Sequence, residues 1–573
     1  MKSFKPLVII FCFALFSFQS LSDSDKLNAI IARYEADRDY DFDRYESVEN
    51  TAKYYKAEAE FSKELKEELE QISEKGLSET EKISRKLLLF VLQDKIDSNT
   101  YKTYLNTITN ESAFHLNLSR MGNRTFKNKQ QVDDYLEQLN KLSKSINYNI
   151  ELLRASIKEG MAQPRVVFNN YDDTYNKHIV LDVTQSEFYK PFLNLPETLS
   201  ATEKDSIIKI AKLSVQKNAI EEYKKIKRFF EDEYFPKTRK GLGISSIPNG
   251  KEFYQNRINY FTTSTQYTAD DIHLIGLNEV ARIKAEMQKI IDDLEFKGSF
   301  GDFLEFLRTD QQFYPKTADE LLMFARDIAK RIDAELPKFF KTLPRKPYGV
   351  VPVPADIAPN YTGGRYSGSR SETTAGFYWV NTYNLPSRTL YTIPALTSHE
   401  AVPGHHLQIS LNNELPETIP KFRRDLYLSA YGEGWGLYAE YLADEMNIYT
   451  TPYEKFGQLT YEMWRACRLV VDTGVHAKGW TREQMLDYMA KNTALSIHEV
   501  TTETDRYISW PGQALSYKIG EIKIRELRNK AEKTLESKFN IREFHEVILE
   551  EGTVTLSIME RRINDYIQKK LIE

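Results

Sequence analysis

The sequence predicts a mainly α-helical protein, and three observations carry that reading. Apolar residues recur at steps of three and four. Val132, Tyr135, Leu139, Leu142, Ile146, Ile150 and Leu153 trace one face of a long helix, with Gly160 as its stop. Helix-start chemistry stands where such stripes begin. Ser78 and Glu81 form a capping box ahead of KISRKLLLFVLQDKI, and Thr268 and Asp271 open a helix striped by Ile272, Ile275, Val280, Ile283, Met287 and Ile291. One passage resists the pattern: the prolines of LPRKPYGVVPVPADIAP (343–359) cannot continue a helix. A Gly/Ser/Thr-rich stretch, YTGGRYSGSRSETTAG, and a short strand, FYWVNTY, follow before helical periodicity resumes near residue 394. No internal repeat or low-complexity tail is present.

With 573 residues, 41% of them hydrophobic, the chain can bury a large core. Its charges are mixed in sign and sum to −5, which argues against a nucleic-acid partner. At the N-terminus Lys2 and Lys5 precede PLVIIFCFALFSF and then small polar residues, the order of a secretory signal with cleavage expected after Ser22. The apolar run is too short for a membrane span. The mature protein is therefore expected to be exported, to periplasm or extracellular space, without stable membrane insertion. Cys12 is the alternative, a lipid-attachment site, but Phe11 stands where a small residue is normal. After cleavage only Cys467 remains, so neither an intramolecular disulfide nor cysteine metal ligands are expected.

Three of the nine histidines fall within HEAVPGHH, residues 399–406. Two imidazoles and one carboxylate make a common catalytic zinc set. The usual motif places its histidines at i and i+4 on one helix face. Here position i+4 is Pro403, and on a regular helix His406 would lie about 10 Å along the axis from His399. Pro403 lacks an amide hydrogen and Gly404 permits unusual backbone, so Pro-Gly marks a bulge or kink that could return His405 to the His399 face. A third ligand should come from another element. Glu433, set among Gly432, Gly434 and Gly436, suits a ligand at a tight helix–helix contact. Glu440, two turns on, reads as a supporting partner or, by default, a surface charge. Glu400, beside His399, is the candidate general base. Zinc makes water acidic near neutrality, and an adjacent carboxylate can move that proton to a leaving nitrogen.

HEAVPGHHLQ resembles the signature of the DUF885 family, helical proteins related to zinc-dependent gluzincin peptidases. GMAQPRVV (160–167), GISSIPNGKEFY (243–254) and TADDIHLIGLNEVARIKAEM (268–287) resemble its N-terminal half. GEGWGLYAE, RACRLVVDTGVH and DRYISWPGQALSYKIG resemble its C-terminal half. The resemblance implies a mainly α, bowl-shaped zinc-peptidase-like fold with a central cleft and a small β element near the active-site helix. Residues 23–345 and 346–573 would be two halves of one unit, the second carrying the metal site. It implies one Zn2+ per chain on His399, His405 and Glu433, with Glu400 as base. His405 is preferred to His406 because the family fixes the histidine directly after Pro-Gly.

Other positions are assigned more openly. Tyr517 resembles the tyrosine that related peptidases aim at an oxyanion; otherwise it is a core tyrosine. Arg506 would grip a substrate carboxylate or form a structural ion pair. His476, four residues after Asp472, suits an Asp–His hydrogen bond, catalytic or structural. The strand 377–381, with Tyr378 and Asn381, could pair its edge with an extended peptide. The leading function is an exported zinc metallopeptidase acting on short peptides, with no obligate protein partner. The rivals are a helical periplasmic binding protein with a non-catalytic zinc, and a zinc amidase or esterase acting on non-peptide substrates.

Overall fold

The helical stripes of the sequence reappear as buried faces in the computed structural model, which describes residues 21–36, 38, 43–355 and 357–573. The helix Lys129–Lys158 buries Val132, Tyr135, Leu139, Leu142, Ile146, Ile150 and Leu153, and Gly160 follows it at φ +72°. Both capping boxes form, at Ser78/Glu81 and Thr268/Asp271. Most of the secretory segment lies outside the described residues. Ser22 itself caps the helix Asp23–Glu35 through the Asp25 amide, so a cut directly after Ser22 would remove that cap.

Among the described residues the chain is mainly helical, with one small sheet. Strands β1 (Tyr348–Pro352), β2 (Gly364–Ser367) and β3 (Gly376–Val380) are ordered β1-β3-β2. β1 runs parallel to β3, and β2 antiparallel to it, with Tyr366 opposite Tyr378. This corrects the expected role of residues 377–381. β3 is paired on both sides and offers no edge to a peptide; the edge next to the motif belongs to β2. Tyr378 and Asn381 are fully buried. Asn381 Nδ2 donates to the carbonyls of Ala358, Tyr361 and Thr362 at 2.9, 2.9 and 3.1 Å, tying down the loop that leads into β2.

Two hydrophobic clusters run through the molecule, and each draws residues from both sides of position 345: Ile108 to Ala514 in one, Leu27 to Ile567 in the other. The central helix Pro452–Ala477 is buried all round from Phe456 to His476, and its charged residues Glu462, Arg465, Arg468 and Asp472 are buried with it. It packs on Ala269–Asp293 at Gly276, where a Cβ would meet Leu469 Cβ at 2.8 Å. The helix Ser429–Glu445 crosses Ser516–Leu535 at Gly434 and Gly520, so closely that a Cβ on Gly434 would lie 2.6 Å from the Gly520 backbone.

Candidate metal centre

The helix Ile393–Glu400 carries His399 and ends one residue later, at Glu400. A second helix, His405–Asn413, starts at His405. The motif is thus two helices joined by a tight turn rather than one bulged helix. The Gly404 amide donates to Ser398 O at 3.0 Å and the His406 amide to Ala401 O at 3.0 Å, closing the turn. Pro403 costs no hydrogen bond there, and its carbonyl accepts from Trp435 Nε1 at 2.8 Å. Glycine is needed at 404 for space, because a Cβ would stand 1.9 Å from His399 O.

The turn brings the rings of His399 and His405 to 4.7 Å between centroids, at 88°. Glu433 arrives from the helix Ser429–Glu445. Its Oε2 lies 3.5 Å from His399 Nε2 and 3.4 Å from His405 Nε2. One ligating atom of each residue falls within 4.8 Å of the others. Tetrahedral ligands about 2.0–2.1 Å from zinc are about 3.3–3.4 Å apart, so these three side chains fit such an ion. His406 turns away: its Nδ1 meets the Tyr366 hydroxyl at 3.0 Å, and its ring packs on Tyr348.

The glycines beside Glu433 each make room for something different. A Cβ on Gly436 would lie 2.6 Å from His399 Cε1, so this glycine seats the imidazole. Gly432 accommodates the Tyr427 ring, whose hydroxyl donates to Glu433 Oε1 at 3.1 Å. Gly434 permits the crossing at Gly520. Both oxygens of Glu433 are thereby assigned, one to Tyr427 and one to the histidines.

Glu440 is fully buried, not the surface charge of the default reading. Its Oε1 accepts from His399 Nδ1 at 2.7 Å, which fixes the tautomer that presents the Nε2 lone pair to the centre. The electrostatics suit a cation. Burial pushes the His399 pKa down, but hydrogen bonds to Glu433 and Glu440 outweigh it and lift it to about 9. Burial likewise works against the Glu433 carboxylate, yet His405 and His399 hold its pKa well below the usual range.

Glu400 is half-buried, and its Oε2 accepts from the Tyr366 amide at 2.7 Å. That amide is available because the Asn381 N–H bonds Gly363 O at 2.9 Å, and alternation along β2 then points the Tyr366 N–H off the free edge.

The remaining assignments divide. Tyr517 is buried and acts electrostatically on Tyr427, with the Arg468 guanidinium 4.2 Å above its ring. Arg506 forms ion pairs with Glu111 at 3.4 Å and Glu503 at 3.7 Å, the structural alternative of its reading. The expected Asp472–His476 hydrogen bond is absent. Asp472 accepts from Tyr254 at 2.6 Å, while His476 Nδ1 accepts from the Ile244 amide and its Nε2 donates to Tyr507 O, both at 2.9 Å. Fully buried and with both nitrogens engaged, His476 is a packing residue. Sequence reasoning missed Tyr427 and the Tyr366 amide. It underweighted Glu440, whose two-turn spacing from Glu433 was the available signal.

Helical architecture and a His/His/Glu triangle of two buried histidines and a half-buried glutamate define the class: a large, mainly α protein with a candidate metal centre at a helix–turn–helix junction. The chain belongs to the DUF885 family, described as bacterial proteins of unknown function, which matches residues 37–563. Two solved structures resemble it. One, from Colwellia psychrerythraea, shares 26% identity and a TM-score of 0.80 over 96% of this chain and all of its own. The other, of unknown function and from Shewanella oneidensis, shares 17% identity and a TM-score of 0.64 over 95% of this chain and 99% of its own. Each is described as a "putative lipoprotein". No curated protein matches the chain.

Proposed function

We propose that the protein is an exported, metal-dependent hydrolase of short peptides, with zinc on His399, His405 and Glu433 and the two halves of the chain walling a cleft above it. One observation carries the reading: three ligand-type atoms converge at tetrahedral spacing while Glu400, the next residue after a ligand, is held by a backbone amide. A zinc ion bound there would supply Lewis acidity toward a carbonyl oxygen and make a water acidic enough to attack it. Glu400 takes the proton of that water and passes it to the departing amide nitrogen. The Tyr366 amide fixes which Glu400 oxygen is free to do so. Glu440 keeps the His399 ring in register, and Tyr427 does the same for Glu433. Tyr517 serves as the phenol donor to the oxyanion. Only three such side chains meet among the described residues, which favours an open, catalytic site over a sealed, structural one. The lipoprotein descriptions of the two similar structures agree with an exported protein, and no helix among the described residues is long and apolar enough to cross a membrane.

The test is Glu400→Gln. This variant should keep about one zinc per chain while peptide hydrolysis falls by at least about a hundredfold, the scale of a lost general base. Undiminished hydrolysis with metal retained would remove Glu400 from the mechanism.

A further inference from the structure

Arg365 lies on the edge strand β2, one residue before Tyr366. Alternation along the strand sends its side chain to the face opposite the Tyr366 ring, which packs on His406. The side chain is exposed, and among the described residues no carboxylate lies within ion-pair distance of it. Yet its charge acts on Glu400, Glu433 and Tyr427 in the candidate centre, and it shares a contact with Tyr361. It also acts on Glu111, which the N-terminal half contributes. The other charges acting on Glu111 are Arg506, Arg468 and Glu503.

Three guanidiniums, Arg365, Arg468 and Arg506, therefore gather at this corner with Glu111 and Glu503, and Glu400 is a further carboxylate acting on Arg365. Arg506 pairs with both Glu111 and Glu503, and Arg468 pairs with Glu503 at 3.0 Å. Glu111 and Glu503 are thus engaged by Arg506 and Arg468, and Arg365 forms no direct ion pair among the described residues. Arg468 Nη1 and Arg506 Nε, both buried, also lack a hydrogen-bond acceptor. The Arg365 guanidinium stands exposed beside the candidate centre without a direct ion-pair partner among the described residues. A planar guanidinium with free donors is a bidentate receptor for a carboxylate.

We propose that Arg365 is a specificity-determining residue that binds a substrate carboxylate close to the scissile bond, so that the preferred substrates are peptides carrying a free carboxylate there. This rests on the peptidase reading above and names its substrate class. The carboxylate can be the peptide's α-carboxylate or an acidic side chain; the chemistry of recognition is shared.

Binding without turnover separates the cases. The protein would be loaded with zinc in the Glu400→Gln background, with Arg365 intact or replaced by Gln. Calorimetry would measure three N-acetylated pentapeptides: Ala-Ala-Phe-Ala-Ala with a free C-terminus, the same peptide as its C-terminal amide, and the amide with its last residue changed to Glu. The expected result is at least about tenfold tighter binding of a carboxylate-bearing peptide than of the plain amide, and loss of that difference in Arg365→Gln. Preference for the free acid identifies the α-carboxylate, and preference for the Glu amide identifies a side chain. Equal affinities for all three, no binding of any, or a preference that survives Arg365→Gln overturns the proposal. Hydrolysis of the same peptides by the Glu400 protein reports separately on the peptidase reading. Because Arg365 is exposed, the variant should melt with the parent, and a matching melting curve checks this.

Discussion

At the scale of residues, the candidate centre depends on side chains outside the ligand set. His399 is aimed by Glu440, 41 positions away in sequence; two-turn spacing from Glu433 puts Glu440 on the same helix face, but its burial comes from tertiary packing. The ligands themselves were legible because residue type, clustering and the Pro-Gly break point to them directly. His476 shows the opposite case. Its i, i+4 spacing from Asp472 invites a local hydrogen bond, but the Ile244 amide, 232 residues distant, occupies its Nδ1 instead. Partners contributed by tertiary packing leave no local trace. Replacing Glu440 with Gln keeps the shape but removes the anionic acceptor of the His399 proton. Zinc affinity should fall about 10–100-fold, as for other outer partners of histidine ligands, in a competition titration with a chelator. Unchanged affinity would reduce Glu440 to a packing role.

At the scale of elements, the long amphipathic helices and their caps follow from local pattern, and the structure keeps them. The sheet does not follow in this way, because strand order is set by pairing between segments. FYWVN reads as a strand, yet nothing within it says that β1 and β2 flank it on both sides. The glycines of Ser429–Glu445 read as contact residues in the sequence, but only the packed helices assign one to His399, one to Tyr427 and one to Gly520. That last contact gives a sharp expectation. A Cβ on Gly520 would sit 2.0 Å from Ala430 O and 2.8 Å from Gly434 Cα, both backbone atoms that cannot swing aside. Gly520→Ala should therefore cost about 1–3 kcal/mol of stability, the range for overpacking, and weaken zinc binding through displacement of the neighbouring Glu433. Denaturant melts with and without zinc measure both effects.

At the scale of the whole molecule, two cores among the described residues, each spanning both halves, tie the candidate metal site to the fold as one body. A buried carboxylate then makes stability depend on pH. Burial pushes the Asp472 pKa up to about 7, against hydrogen bonds from Tyr254 and Gly512. The unfolded chain gives up this proton near its ordinary value of about 3.9, whereas the folded protein holds it until about 7. Between those limits the folded state binds more protons than the unfolded one, so this group's contribution to stability falls as pH rises and is level above the folded value. Asp472→Asn keeps an acceptor for Tyr254 but cannot ionise. The difference in melting temperature, variant minus parent, should rise from about pH 4 to about pH 7 and then flatten. A difference independent of pH would show that Asp472 does not titrate in this way.

The central claim, that His399, His405 and Glu433 form an open metal centre, has its most direct test in anomalous diffraction. Crystals of the zinc-loaded protein, measured on both sides of the zinc edge, should give one strong peak per chain roughly 2.0–2.1 Å from His399 Nε2, His405 Nε2 and a Glu433 oxygen, with no fourth protein ligand. A peak bound by His406 in place of His405, a fourth protein side chain closing the site, or no peak at this position would contradict it.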